Sequence, residues 1–129
     1  MTYRWGEHVG ELELWVEAPD EAAVFADALR AIGELLAVEG DPEAFEVIAE
    51  GADRAVLLAA WLEELCFLAE TEGLVPEAVE ELELEPDRIR ARVAGRRGSP
   101  PHLVKAVTYH RLAFEPANGG WRAVAVLDV

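Results

Sequence analysis

Two acidic residues stand at the ends of two apolar runs near opposite ends of the chain. Glu11 heads Glu11-Leu12-Glu13-Leu14-Trp15-Val16, and Asp128 follows Val124-Ala125-Val126-Leu127. Carboxylates are ligands for hard cations such as Ca²⁺ and Mg²⁺. A chain ending at Val129 adds its α-carboxylate beside Asp128, and negative groups held side by side repel unless a cation or basic partner sits against them. If the first long strand and the last are antiparallel neighbours, Glu11, Asp128 and the Val129 carboxylate converge. Spacing alone is a weak basis for that, because 26 acidic residues offer many accidental pairs.

Other chemistries lack their signatures. Neither a G-x-x-x-x-G-K-[ST] nor a G-x-G-x-x-G string occurs, and there is no G-x-S-x-G elbow. Ser99 is the only serine and lies in a Pro-rich stretch. His8, His102 and His110 do not have zinc spacing, and the single Cys66 excludes a Cys-based zinc site and an intrachain disulfide. In Leu65-Cys66-Phe67-Leu68 that cysteine reads as a small core residue. No local motif supports enzymatic activity.

The charge restricts partners. The net charge of −15 would be repelled by a phosphate backbone, so direct nucleic-acid binding is disfavoured. A basic protein partner or metal ions would be attracted; the plainer reading is that the charge gives solubility. No apolar stretch is long enough to cross a bilayer, and the first residues do not have the form of a secretory leader. With the lone cysteine, these features fit a cytoplasmic protein. A length of 129 residues suits a single domain, 1–129.

The elements that must position the carboxylates follow from periodicity. Tyr3 and Trp5 alternate, then Leu12, Leu14 and Val16 alternate with Glu11, Glu13, Trp15 and Glu17, the period of a half-buried strand. Asp20 is a candidate cap for a helix running to about Val38, its stripe formed by Phe25, Leu29, Ile32 and Leu36. Phe45, Val47 and Ala49 suggest a short strand. Asp53 caps a second helix with Leu58, Trp61, Leu62, Leu65 and Leu68 on its buried stripe, ended by Gly73. Leu82 and Leu84, then Ile89, Ala91 and Val93, predict a hairpin whose glutamates face the arginines of the next strand. Gly95–Pro101 reads as an exposed loop. A last hairpin joins Val104–Phe114 to Trp121–Val129 through Ala117-Asn118-Gly119-Gly120. The class is α+β: a mixed or antiparallel sheet with two main helices packed on it.

Several strings are specific. Glu7-His8, Trp61-Leu62-Glu63-Glu64-Leu65, Glu70-Thr71-Glu72-Gly73-Leu74, Val104-Lys105-Ala106-Val107-Thr108-Tyr109-His110 and Leu127-Asp128-Val129 together resemble the archease family, over essentially the whole chain. That family carries E-H-T-A-D, W-L-N-E-L, D-T-E-G-L, V-K-A-V-T-Y-H and a final L-D-[IV]. Val9-Gly10-Glu11 stands where the family has T-A-D, so the acid is kept with one more methylene and the threonine hydroxyl is lost. Glu70 likewise replaces an Asp.

The resemblance implies an archease-like fold and an accessory, chaperone-like role. The partner would be an RtcB-type RNA ligase, whose guanylylation and turnover in tRNA splicing and RNA repair such proteins promote without catalysis of their own. It also implies a divalent-metal site, Ca²⁺ first with Mg²⁺ or Mn²⁺ as alternatives, at Glu11, Asp128 and Val129. His8, Lys105, Thr108 and His110 match the motifs with no role assigned. Two other readings stay open: a stand-alone metal- or small-ligand-binding domain with hydrolytic activity, and an interaction module without metal.

Overall fold

The computed structural model describes residues 2–102 and 104–129; Met1 and Leu103 lie outside the described residues. The elements run β1 (Thr2–His8), β2 (Glu11–Ala18), α1 (Glu21–Leu35), β3 (Pro42–Glu50), α2 (Arg54–Glu72), β4 (Leu74–Glu85), β5 (Arg88–Arg97), β6 (Ala106–Ala117) and β7 (Gly120–Asp128). The strands form two sheets rather than one. The first has the order β1-β2-β7-β6 and the second β3-β5-β4, and every pairing is antiparallel.

Both helices touch strands of both sheets. One continuous core joins them, with Trp61, Phe25, Leu29, Leu62 and Leu65 fully buried. The Trp61 Nε1–H donates to the Phe25 carbonyl at 3.0 Å, so the indole is buried with its one polar group satisfied.

The helix starts follow the expected chemistry. The Asp20 carboxylate accepts from the Ala23 N–H at 2.8 Å, and Asp53 accepts from Val56 at 2.9 Å. Gly73 ends α2 in the left-handed region at φ 67°. The helix α1 stops at Leu35, short of the expected Val38. The apolar pattern runs on because Val38 packs against Gly98 from a non-helical segment.

Two further expectations need correction. The N-terminal alternation is two strands: Val9-Gly10, with Gly10 at φ 74°, folds β1 back on β2. The expected loop at Gly95–Pro101 is strand as far as Arg97, because β5 stays paired with β3 through Arg96 and with β4 through Arg97. The Glu–Arg facing across β4 and β5 is present, with Glu83 opposite Arg90. Arg90 nonetheless pairs with Glu46 of β3, at 3.0 Å. As the central strand, β5 offers its arginines to both neighbours. The last hairpin turns at Asn118-Gly119, both with positive φ (51° and 78°), which matches the twist of its arms.

Candidate functional site: carboxylates at the end of the four-stranded sheet

On β2, Leu14, Val16 and Ala18 face the core, so Glu11, Glu13, Trp15 and Glu17 share the other face. The register then fixes the neighbours. Glu11 is directly opposite Asp128 of β7 on one side and His8 of β1 on the other, and Ala106 of β6 is opposite Asp128. Residues paired this way place their Cβ atoms about 5 Å apart on one face. One row of the sheet therefore reads His8, Glu11, Asp128, Ala106.

Backbone bonds hold the end of β7 from both sides. The Lys105 N–H donates to the Asp128 carbonyl at 2.8 Å, and the Val129 N–H donates to the Gly10 carbonyl at 3.0 Å. Val129 thus sits against the β1–β2 turn, where it borders a cleft of about 480 Å³ with Trp5, Glu7, Leu12, Leu35 and His102. The expected meeting of the first long strand with the last is observed.

Two residues that the sequence reading did not single out complete the electrostatics. Glu13, one row inward from Glu11, is buried. Its Oε1 accepts from Trp15 Nε1, and Arg4 stacks over the Trp15 ring at 4.6 Å. Arg111 reaches back from β6, with Nη2 at 3.0 Å from Glu13 Oε2 and 3.8 Å from Glu11 Oε1. The 3.0 Å approach is an ion pair without hydrogen-bond alignment, so the buried Oε2 accepts no hydrogen bond. The pairing of β6 with β7 shifts register between Thr108 and Ala113, and Arg111, with φ 57°, lies in that bulge. The period-two spacing of Glu11 and Glu13 was a usable signal for Glu13. A positive φ on an arginine inside a strand leaves no such signal.

Among the described residues, no three His, Cys, Asp or Glu side chains gather as a ligand set. The candidate donors are the side-chain carboxylates of Glu11 and Asp128, which face each other across β2 and β7. They are all oxygens, which suits Ca²⁺, Mg²⁺ or Mn²⁺ and not a soft metal. The motif residues Lys105, Tyr109 and His110 are exposed, and the His110 N–H donates to Thr108 Oγ1 at 3.3 Å. Cys66 is buried, and burial first, then Glu70 and Glu63, push its thiol up to about 12, so it is not a nucleophile at neutral pH.

Comparison with known proteins gives consistent results. The model of the archease protein family (MTH1598/TM1083) matches residues 3–129. The protein archease of Methanopyrus kandleri is 33% identical over 143 residues, covering 100% of both chains. That of Methanosarcina mazei is 31% identical over 140 residues, covering 98% of this chain and 95% of its own. Two solved structures share the fold. The solution structure of Methanobacterium thermoautotrophicum protein 1598 has a TM-score of 0.67 at 22% identity, with 98% of each chain covered. The crystal structure of a Thermotoga maritima archease, described as a possible chaperone, has a TM-score of 0.73 at 16% identity, covering 100% of this chain and 98% of that one. No helix among the described residues is long and apolar enough to cross a membrane. With residues 3–129 matched by the family model and relatives above 30% identity covering 98–100% of it, the chain belongs to the archease family.

Proposed function

We propose that this chain is an accessory, chaperone-like protein that activates an RtcB-type RNA ligase in the cytoplasm. It promotes guanylylation and turnover of the ligase in tRNA splicing and RNA repair, and performs no chemistry of its own. Glu11, Asp128 and the Val129 α-carboxylate hold a divalent ion, Ca²⁺ before Mg²⁺ or Mn²⁺. When bound, the ion would offset most of the negative charge that these carboxylates gather at the rim of the sheet.

The register that sets Glu11 opposite Asp128 carries this reading, because it brings two distant motifs of the family into one row. The third motif borders the same row through Ala106. Family membership and the description of the Thermotoga relative as a possible chaperone support the accessory role. The net charge of −15 supports docking beside a basic, RNA-gripping surface, with the helper leaving before RNA binds.

The test is to add the purified protein to a limiting amount of cognate ligase with GTP and a divalent metal. Faster guanylylation, declining as ionic strength rises, is the expected result. An unchanged rate with a cognate ligase overturns the proposal.

A further inference from the structure

The two sheets end in free edges that the helix α2 spans. Strand β3 is an edge of the three-stranded sheet and β6 an edge of the four-stranded one, and α2 packs on both. Between the edges lies an open groove of about 670 Å³, with Ile48–Glu50 along one wall, Val104–Val107 along the other and α2 as its floor. None of the backbone bonds that link separate elements among the described residues joins β3 to Val104–Val107.

The lining is both apolar and acidic. Phe67 is 54% exposed and Ile48 39% exposed, although an aromatic ring in water gains nothing by itself. Glu63, Phe67 and Glu70 follow one another at i, i+4 and i+7, which puts them in one stripe along α2. Glu50 and Glu64 add two more carboxylates, and among the described residues that line the groove the only cation is Lys105, just before β6. The same field acts on Cys66 below, whose thiol is raised first by burial and then by Glu70 and Glu63.

We propose that this groove takes an extended basic segment of a partner protein, which adds as a strand to the free edge of β3. Charge complementarity identifies the occupant, and Lys105 on the opposite wall turns a basic chain toward β3. Spacing narrows its pattern. Along a helix, Glu63, Phe67 and Glu70 are about 6 Å and 4.5 Å apart, and alternate residues of a strand are about 6.7 Å apart. A strand running along α2 therefore presents basic, apolar and basic side chains at positions i, i+2 and i+4. The interaction uses the side chains of α2 and the edge of β3, whereas the proposed cation site uses side chains of β2 and β7, with Ala106 bordering both.

The probe is a labelled, capped peptide Thr-Arg-Thr-Leu-Thr-Arg-Thr, followed by fluorescence anisotropy and by hydrogen exchange of the protein. Saturable binding should weaken about tenfold or more in Phe67→Ser and in Glu63→Gln/Glu70→Gln, all exposed positions whose loss leaves the core intact. Glu81→Gln/Glu83→Gln, which removes the same charge from β4, should change it by less than about twofold. Amides of Glu46–Glu50 should exchange more slowly with peptide present. Absence of binding, equal weakening by the β4 pair, or protection at another strand edge overturns the proposal. Self-association of the protein that Phe67→Ser abolishes would assign the groove to a second copy and overturn it as well.

Discussion

Glu11 and Asp128 are separated by almost the entire chain, yet they are direct cross-strand partners in the antiparallel pair β2–β7. Like charges directly opposite one another destabilise a sheet, and here both strands are anchored so that the residues cannot slide apart. The Gly10 carbonyl takes the Val129 N–H and the Asp128 carbonyl takes that of Lys105. Such a pairing persists when a positive charge joins it.

If that charge is a divalent ion, calcium titration by calorimetry should give a binding heat for the wild type. Asp128→Asn should weaken the affinity about tenfold or more, because affinity in oxygen-ligand sites follows the number of charged ligands. Matching isotherms for wild type and variant would remove the cation from Asp128.

Arg111 should oppose the ion. Its guanidinium lies 3.0 Å from Glu13 and 3.8 Å from Glu11. Arg111→Gln should raise calcium affinity severalfold while lowering metal-free stability by about 1 kcal/mol, the scale of a partly buried ion pair whose carboxylate loses its partner. Calorimetry and urea unfolding measure the two effects separately. Failure of the affinity to rise, with Asp128→Asn still impaired, would show that Arg111 only braces Glu13.

These contrasts show how far the sequence could be read. Period-two runs located β2 and β5, a continuous apolar run located β7, and Asp20, Asp53 and Gly73 marked helix ends that hydrogen bonds and φ values bear out. The pairing of β2 with β7 was legible only as a condition on the chain ends meeting. Long-range register depends on which apolar faces share a core, and local alternation does not encode it. Arg111 and the second sheet were beyond reach for the same reason. A shift of register is defined by the partner strand, and the split into two sheets is decided by how α1 and α2 pack on them.

Asp27 gives the protein a distinct pH response. The side chain is 1% exposed, and neither carboxylate oxygen accepts a hydrogen bond among the described residues. Burial raises its pKa and the nearby Arg30, at 3.6 Å, only partly offsets this. The neighbouring Tyr3 phenol is pushed up to about 12 by burial and by Glu34, so the surroundings favour uncharged forms. A folded state that holds its proton more tightly than the unfolded chain is favoured at low pH and loses that advantage as pH rises through the raised value. Asp27→Asn should therefore be more stable than wild type by about 1 kcal/mol at pH 7, with the gap closing toward about pH 4. Urea midpoints across that range are the measurement, and a less stable variant at neutral pH would mean that the charged form is satisfied.

Cys66 should be chemically silent in the folded protein. A thiol pushed up to about 12 is almost wholly protonated at pH 8. Reaction with a disulfide reagent such as DTNB should run about a thousandfold slower than for a free thiol, and should recover that rate in urea. Rapid labelling without denaturant would reveal an opening of α2 away from the β3–β6 groove.

Gly95→Ala tests the close approach of β4 to β5 in the segment expected as a loop. An added Cβ would lie 2.3 Å from the Val75 carbonyl oxygen and 2.7 Å from Phe45 Cε1. The ring can rotate, but the carbonyl belongs to the neighbouring strand β4 and moves only if the sheet opens. A loss of about 2–3 kcal/mol in chemical denaturation is expected, at the upper end of overpacking effects. Adding Phe45→Leu to Gly95→Ala should recover little of it, since the closer obstacle is backbone. Gly119→Ala provides the contrast: nothing lies within 4 Å of its Cβ, and its cost comes from φ 78° alone. It should lose only about 1 kcal/mol. Equal losses at the two glycines would mean that conformational freedom, and not the approach of β4 to β5, is what Gly95 supplies.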